Sequence, residues 1–172
     1  DLICTPHYRL RQPCAVQTFE LTGLQPRGSY STLAELRAYR LSDDDDYQTE
    51  GLPLTRLAYH QLPSNADPRQ RIVEHVRMLY FQDNLIDPLP FRETGSLALP
   101  YETYKLALTS ELLTAVLGEK LPELRLSGET ETATLARLLR EGGYHPMDGA
   151  SWIRSGIAGF QPDARAHFYL PE

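Results

Sequence analysis

The alternation of apolar and polar positions is strongest in residues 54–83. Two β-type runs, LTRLAYHQL (54–62) and QRIVEHVRMLYFQD (70–83), are separated by the turn-rich PSNADPR. Ile72, Val76, Met78 and Tyr80 fall on one side of the second run, and Val73, Leu79 and Phe81 on the other, so both faces carry apolar side chains. At about 3.3 Å per residue, a dozen residues reach roughly 40 Å, about twice a usual strand. The pattern predicts a long antiparallel hairpin, 54–62 paired with 70–83, laid into a larger sheet.

The rest of the chain reads as shorter elements. AVQTFELT (15–22) alternates and predicts a short strand, and Tyr104, Leu106 and Leu108 opposed to Thr103 and Lys105 predict another over 101–108. Thr32 with Glu35 three residues later is a capping box, and the LAELRAYRL that follows predicts a helix over 32–41. SELLTAVLG predicts a helix over 110–118 with Gly118 in a left-handed C-cap. TETATLARLLREGG predicts a third over 130–143, with Leu135, Leu138 and Leu139 as its stripe and a glycine pair as its stop. NLIDPLPF (84–91) is an irregular, proline-broken connection that packs on something. HPMDG and QPD are turn signals around short strands near Trp152 and Phe168. Pro6 and Pro13 keep residues 1–14 irregular. The expectation is a β-rich α+β fold with about three short helices, residues 1–172 being a single domain or a fragment of something larger.

Composition narrows the class. Thirteen Pro and eleven Gly fit many short elements, and ten Tyr suit half-buried strand faces. The net charge is −6 and no Lys/Arg block could neutralise several phosphates in a row, so nucleic acid is not an expected partner. No apolar run approaches the roughly 18–20 residues that a membrane span needs. The N-terminus lacks a basic segment followed by an apolar core, so no secretory signal is read there. A start at Asp1 rather than Met points to a fragment or a processed product.

Candidate chemistry is sparse. Cys4 and Cys14 could close one disulfide, and they form a C-x2-H-x6-C cluster with His7. Zinc needs four N or S ligands, the spacing is not a zinc pattern, and no fourth ligand is local, so no metal is expected. SDDDDY (42–47) fails as a calcium loop: counted from Asp43, the sixth position is Gln48 rather than Gly and the twelfth is Leu54 rather than Glu. His60 and His75 stand on the two arms of the predicted hairpin and could be neighbours there. They have no acidic set at a telling spacing, and His145 and His167 lie elsewhere in the chain. There is no G-x-S-x-G, and the glycines of GLQPRG and GYHPMDG lack the spacing and the lysine of a phosphate loop. No catalytic residue, no metal ligand and no cofactor site is assigned.

The segments do form a familiar series. RIVEHVRMLYFQDN, LALPYETYKLALTSELL, LREGGYHPMDGASWIRSG and HFYLPE, in that order, resemble the large Rhs-type proteins and the B component of bacterial insecticidal toxin complexes, the Tc toxins. QPCAVQTFELTG and YSTLAELRAYRLSD also fit, so the resemblance covers most of the chain. It implies a slice of a hollow shell of spiralled β-sheet that encloses a cytotoxic polypeptide and docks on an injecting component. The chain departs from that family in places. It has no Tyr-Asp repeat, no aspartyl self-cleavage motif and no toxic domain, and SWIRSG stands where a second aromatic and a proline belong. The family's protease and toxin activities therefore attach to no residue here.

The expectation is a non-enzymatic wall segment, secreted as part of a toxin complex. Its partners are the remainder of its own parent chain and other toxin-complex proteins, and it self-associates when isolated. An independent binding module using a sheet edge or Tyr-rich face is the alternative, marked by a free-standing gene. An enzyme with a site assembled from dispersed His, Cys and Asp is a third reading, marked by convergence of such groups in a deep pocket.

Overall fold

The longest strand, β5 (Arg69–Tyr80), has about the length that its two-sided pattern of apolar residues, uninterrupted by Pro or Gly, implies. The computed structural model describes residues 12–40 and 52–171. The chain falls into two compact units. One comprises residues 12–16, 75–109 and 119–171, and the other 17–40, 52–74 and 110–118. A six-stranded, mainly antiparallel sheet has the order β1-β5-β6-β8-β7, with β4 (Thr55–Leu57) also paired to β5. With four short helices this is a β-rich α+β fold.

In the first unit, β6 (Pro100–Thr109) pairs antiparallel with the second half of β5, from Val76↔Lys105 to Tyr80↔Pro100. It also pairs antiparallel with β8 (Ala150–Arg154). β8 is joined to β7 (His145–Met147) by Asp148 and Gly149, both at positive φ (52° and 70°). That is the Asp-Gly turn whose twist suits a two-residue hairpin. Side-chain period two places Glu102, Tyr104 and Leu106 on the buried side of β6, with Trp152 facing Leu106 across the ladder. Lys105 and Ile153, the neighbouring pair, face outward and are exposed. The sheet here has one covered and one open face. Pro146 lies mid-strand in β7, the last strand of the order, where a missing N–H breaks no inner ladder.

α4 (Glu131–Glu141) follows its sequence signals closely. Thr130 Oγ1 accepts the Ala133 N–H at 3.2 Å. The helix ends in a Schellman arrangement, with Tyr144 N–H to Leu139 O at 2.9 Å and Gly143 N–H to Arg140 O at 3.1 Å, Gly143 at φ 77°. A one-turn helix, α3 (Leu121–Leu124), precedes it and had no clear periodic signal. The 84–91 connection is held by Asn84, whose Oδ1 accepts the N–H groups of Ile86 and Asp87. The strand expected near Phe168 is instead a run of turns. Ala164, Ala166, His167 and Tyr169 each donate to a carbonyl three to five residues back, so local bonds replace a ladder, and Phe168 and Tyr169 take positive φ.

In the second unit, β1 (Ala15–Thr22, its first two residues in the other unit) and β4 accompany the first half of β5. The predicted hairpin is not what forms. β4 runs parallel to β5, Thr55↔Arg69 to Leu57↔Arg71, and only three residues pair. The reason is local. A turn closes directly after β4, with Gln61 N–H to Ala58 O at 3.0 Å and Ala58 N–H to the Gln61 side chain at 2.9 Å. The chain then returns to the start of β5 and leaves Leu62 87% exposed. The second half of β5 instead pairs antiparallel with β6, the next strand in the chain, after the 81–99 connection.

α1 (Leu33–Leu36) has the predicted capping box, Thr32 N–H to Glu35 Oε2 at 2.7 Å and Glu35 N–H to Thr32 Oγ1 at 3.3 Å. It lasts one turn, not the expected ten residues. None of its residues is buried, so no packed face extends it, and Tyr39–Arg40 (β2) pair instead with Leu52–Pro53 (β3). α2 (Ser110–Leu117) ends as predicted, but Gly118 has no left-handed conformation. Its glycine is needed for space, since a Cβ there would stand 2.5 Å from Thr114 O.

Candidate interaction surface

The buried polar groups could have been a reaction centre, so their bonds decide what kind of site is possible. Glu102 is 2% exposed. Its carboxylate accepts two bonds from Arg154, Nε to Oε1 at 2.8 Å and Nη2 to Oε2 at 2.9 Å, and a third from the Tyr104 hydroxyl at 2.5 Å. Burial alone would raise the Glu102 pKa, but the Arg154 fork, the Tyr104 hydroxyl and the Gly156 N–H together hold it below the ordinary carboxylate range. Burial and donation to that carboxylate push Tyr104 up to about 12. An acid fixed as an anion and a phenol fixed as a donor serve neither as general acid nor as general base near neutrality.

A second cluster surrounds the only tryptophan. The Arg77 guanidinium lies 4.9 Å from the Trp152 ring and 4.9 Å from the Phe91 ring, and pairs with Asp148. His75 meets Trp152 edge-on at 5.0 Å. Burial, helped by the Arg77 charge, lowers its pKa. Trp152 Nε1 donates to Met147 O at 3.0 Å, tying the ring to its own hairpin. Third, Glu129 accepts from Arg137 (3.0 Å), from the Leu126 N–H (3.1 Å) and from the Thr134 hydroxyl (3.0 Å). Those bonds, Arg137 first, pull it down to about 2. Arg137 also reaches Leu124 O at 2.9 Å, clamping α3 to α4. Each cluster spends its charges on holding the fold.

Among the described residues, the histidines and Cys14 form no cluster of three. His75 is packed on Trp152, while His60 lies in the turn after β4. His145 packs against Tyr104 at 5.3 Å, and His167 reaches Asp163 at 3.2 Å. Cys14 carries a free thiol; Cys4, His7 and the 42–47 acidic run lie outside the described residues. Among the described residues no group of three His, Cys, Asp or Glu could hold a metal ion, and no helix is long and apolar enough to cross a membrane.

What stands out is surface. Among the described residues eight apolar side chains are buried while thirteen large ones are exposed, and the two most deeply buried side chains, Gln70 and Thr134, are polar. Exposure is highest at Leu62, Phe168, Tyr30 and Ile86. On the open face of the first unit's sheet, exposed Ile153 stands beside Lys105 in the ladder, and half-buried Val76 pairs Lys105 on the other side. The apolar residues on both sides of the 70–83 run did not signal this surface: of the exposed side chains only Val73 lies in that run, and Tyr80 and Phe81 are buried. The Glu102 cluster was missed. The clue was a carboxylate two residues before Tyr104 on the same side of a strand otherwise apolar there.

Comparison with known proteins adds no relative: no protein-family model matches the chain, and no curated protein matches it significantly.

Proposed function

We propose that this chain is a non-catalytic structural segment of the shell of a bacterial insecticidal toxin complex or related Rhs toxin, the kind of shell that encloses and helps deliver a cytotoxic cargo. The observation that carries the reading is the excess of exposed over buried large apolar side chains. Exposed apolar side chains mark a surface where they lie together, and a continuing wall would cover them. Two further features support it. The Glu102–Arg154, Arg77–Trp152 and Glu129–Arg137 clusters are engaged in contacts within the fold. The ordered series of segments from RIVEHVRMLYFQDN to HFYLPE resembles the Rhs and Tc B-component pattern.

The test is the solution behaviour of the isolated chain. Light scattering across a concentration series is expected to show self-association that is suppressed by co-expression with the flanking parent sequence. A monodisperse monomer with a high, reversible melting temperature overturns the reading and favours the independent binding module. Sequencing the coding region is the second arm. A frame many times longer than this chain, with Tyr-Asp repeats downstream, is expected; a short gene with its own start is not.

A further inference from the structure

Among the described residues, three strands of the six-stranded sheet are paired on one side only: β1 and β7 at the ends of the order, and β4 beside β5. Natural sheets protect such edges by keeping them short or by placing a proline or a charge on them. β7 has three residues with Pro146 at its centre, and β4 has three with Arg56 at its centre. β1 is different. It has eight residues, and AVQTFELT contains no proline and no basic side chain. Its single charge, Glu20, is taken up by Arg71 of β5, whose Nε and Nη2 reach Oε2 at 3.0 and 2.7 Å. The first half of the strand, Ala15–Thr18, is exposed. β1 therefore offers a long row of backbone groups and carries none of the devices that close the other two edges.

Backbone geometry says which groups are on offer. Cys14 O accepts the Met78 N–H of β5 at 2.8 Å, and across a trans peptide the next N–H points the opposite way. Strand alternation then turns the N–H and C=O groups of Ala15, Gln17, Phe19 and Leu21 away from β5. An antiparallel copy of β1 can bond to them only in registers that set these odd-numbered residues opposite one another. Charge decides among those registers. A pair centred on Glu20 sets two carboxylates face to face, and one centred on Thr18 sets Glu20 against the apolar Val16. Centred on Phe19, the pair sets Glu20 against the Thr18 hydroxyl of the copy, Gln17 against Leu21, and Phe19 against its own ring across the axis. That register closes about six backbone hydrogen bonds. We propose that the outer edge of β1 is a pairing site for a second copy of this chain, the two strands antiparallel with Phe19 on the twofold axis. The inference rests on the self-association that the shell reading expects, and names the surface that carries it.

The experiment is amide hydrogen exchange of the whole chain at a low and a high concentration, with sedimentation to read the oligomer. A dimer is expected to form on concentration. The outward amides of Gln17, Phe19 and Leu21 should then gain at least about tenfold protection, while the inward amides of Thr18 and Glu20 should not change. Gln17→Pro removes an outward donor and leaves the ladder to β5 intact. Twofold symmetry deletes that bond twice, so dimerisation should weaken at least about tenfold. Association that leaves those three amides unprotected, or a folded Gln17→Pro chain that dimerises like the native one, overturns the edge site and leaves the shell reading standing. Protection of the same amides in the dilute monomer shows the edge covered by the chain's own residues and also overturns it. A native chain that stays monomeric at both concentrations overturns the edge site and the shell reading together. The exchange measurement needs no variant, so it decides even where Gln17→Pro does not fold.

Discussion

Removal of Arg154 should cost far more than removal of Arg154 and Glu102 together. In the native chain the Glu102 carboxylate, its side chain 1% exposed, has three bonds, two of them from Arg154. Arg154→Met leaves a buried anion with one strong side-chain donor, the Tyr104 hydroxyl. Loss of one partner from a fully buried pair costs about 3–5 kcal/mol. The Arg154 side chain is 43% exposed, so water already screens the pair and the figure must be discounted, to about 2 kcal/mol. Replacing both partners (Glu102→Leu with Arg154→Met) removes the stranded charge, and that double variant should fall within about 1 kcal/mol of the native chain. The pair should therefore show a coupling of at least about 1 kcal/mol in the double-mutant cycle. Burial, no longer opposed by Arg154, should raise the Glu102 pKa, so the Arg154→Met deficit should shrink as pH falls from 7 to 5 and the carboxyl takes up a proton. Urea unfolding read by the fluorescence of Trp152, in the same strand as Arg154, measures each corner of the cycle. The reasoning fails if Arg154→Met lies within about 0.5 kcal/mol of native, or if the double variant is no more stable than Arg154→Met.

Other outcomes follow from neighbouring features. Gly23→Ala should destabilise the second unit by about 3 kcal/mol or more, because Gly23 is at φ 68° and a Cβ would stand 2.0 Å from Asp67 O; hydrogen exchange of that unit's amides reads it, and native protection in the variant would refute it. Trp152 fluorescence should change as His75 protonates, with a midpoint below the ordinary 6.5, and His75→Gln should abolish the transition. Because the folded state holds His75 neutral, that group's contribution to stability is present above pH 6.5 and lost as pH falls through the lowered folded value. Glu129, held at about 2 against a normal 4.5, stabilises the α4 region above pH 4.5 and loses that contribution as pH falls towards 2; Arg137→Met should flatten this acid dependence in thermal melts. Tyr104, raised from 10 to about 12, works in the other direction. Its contribution is intact below pH 10 and disappears between 10 and 12, and its ring carbon signals should titrate at about 12 rather than at the ordinary 10.

Local rules carried most of the element boundaries. The Thr32 and Thr130 caps, the Gly142–Gly143 stop, the Asp148–Gly149 turn and the alternation in β6 are short-range physics, and each forms where its residues stand. What the chain did not disclose is pairing. Residues 54–62 carry the composition of a hairpin arm, yet whether a strand lies parallel or antiparallel depends on the path between the strands, and the Ala58–Gln61 turn sends this one back to the wrong end for a hairpin. β5 finds β6 across a long connection, a choice made by burying Tyr80, Phe81 and Tyr104 rather than by proximity. The stripe in LAELRAYRL promised a longer helix than one exposed turn can sustain. Gln70 was legible only as a strand residue; that it ends up buried with Oε1 unpartnered follows from tertiary packing, which its own neighbours in sequence do not disclose.

Pro146 has a consequence for how this sheet can grow. In the β7–β8 ladder Met147 faces Ala150 across the two-residue turn, so Pro146 is at the alternate position, where a backbone N–H would point away from β8. Proline has none. The strand at that end has three residues and lacks its central outward donor, so it cannot seed another strand. Growth of the sheet is then confined to its other edges, those of β1 and β4, and the stacking through β7 that a filament extended at that end would need is blocked.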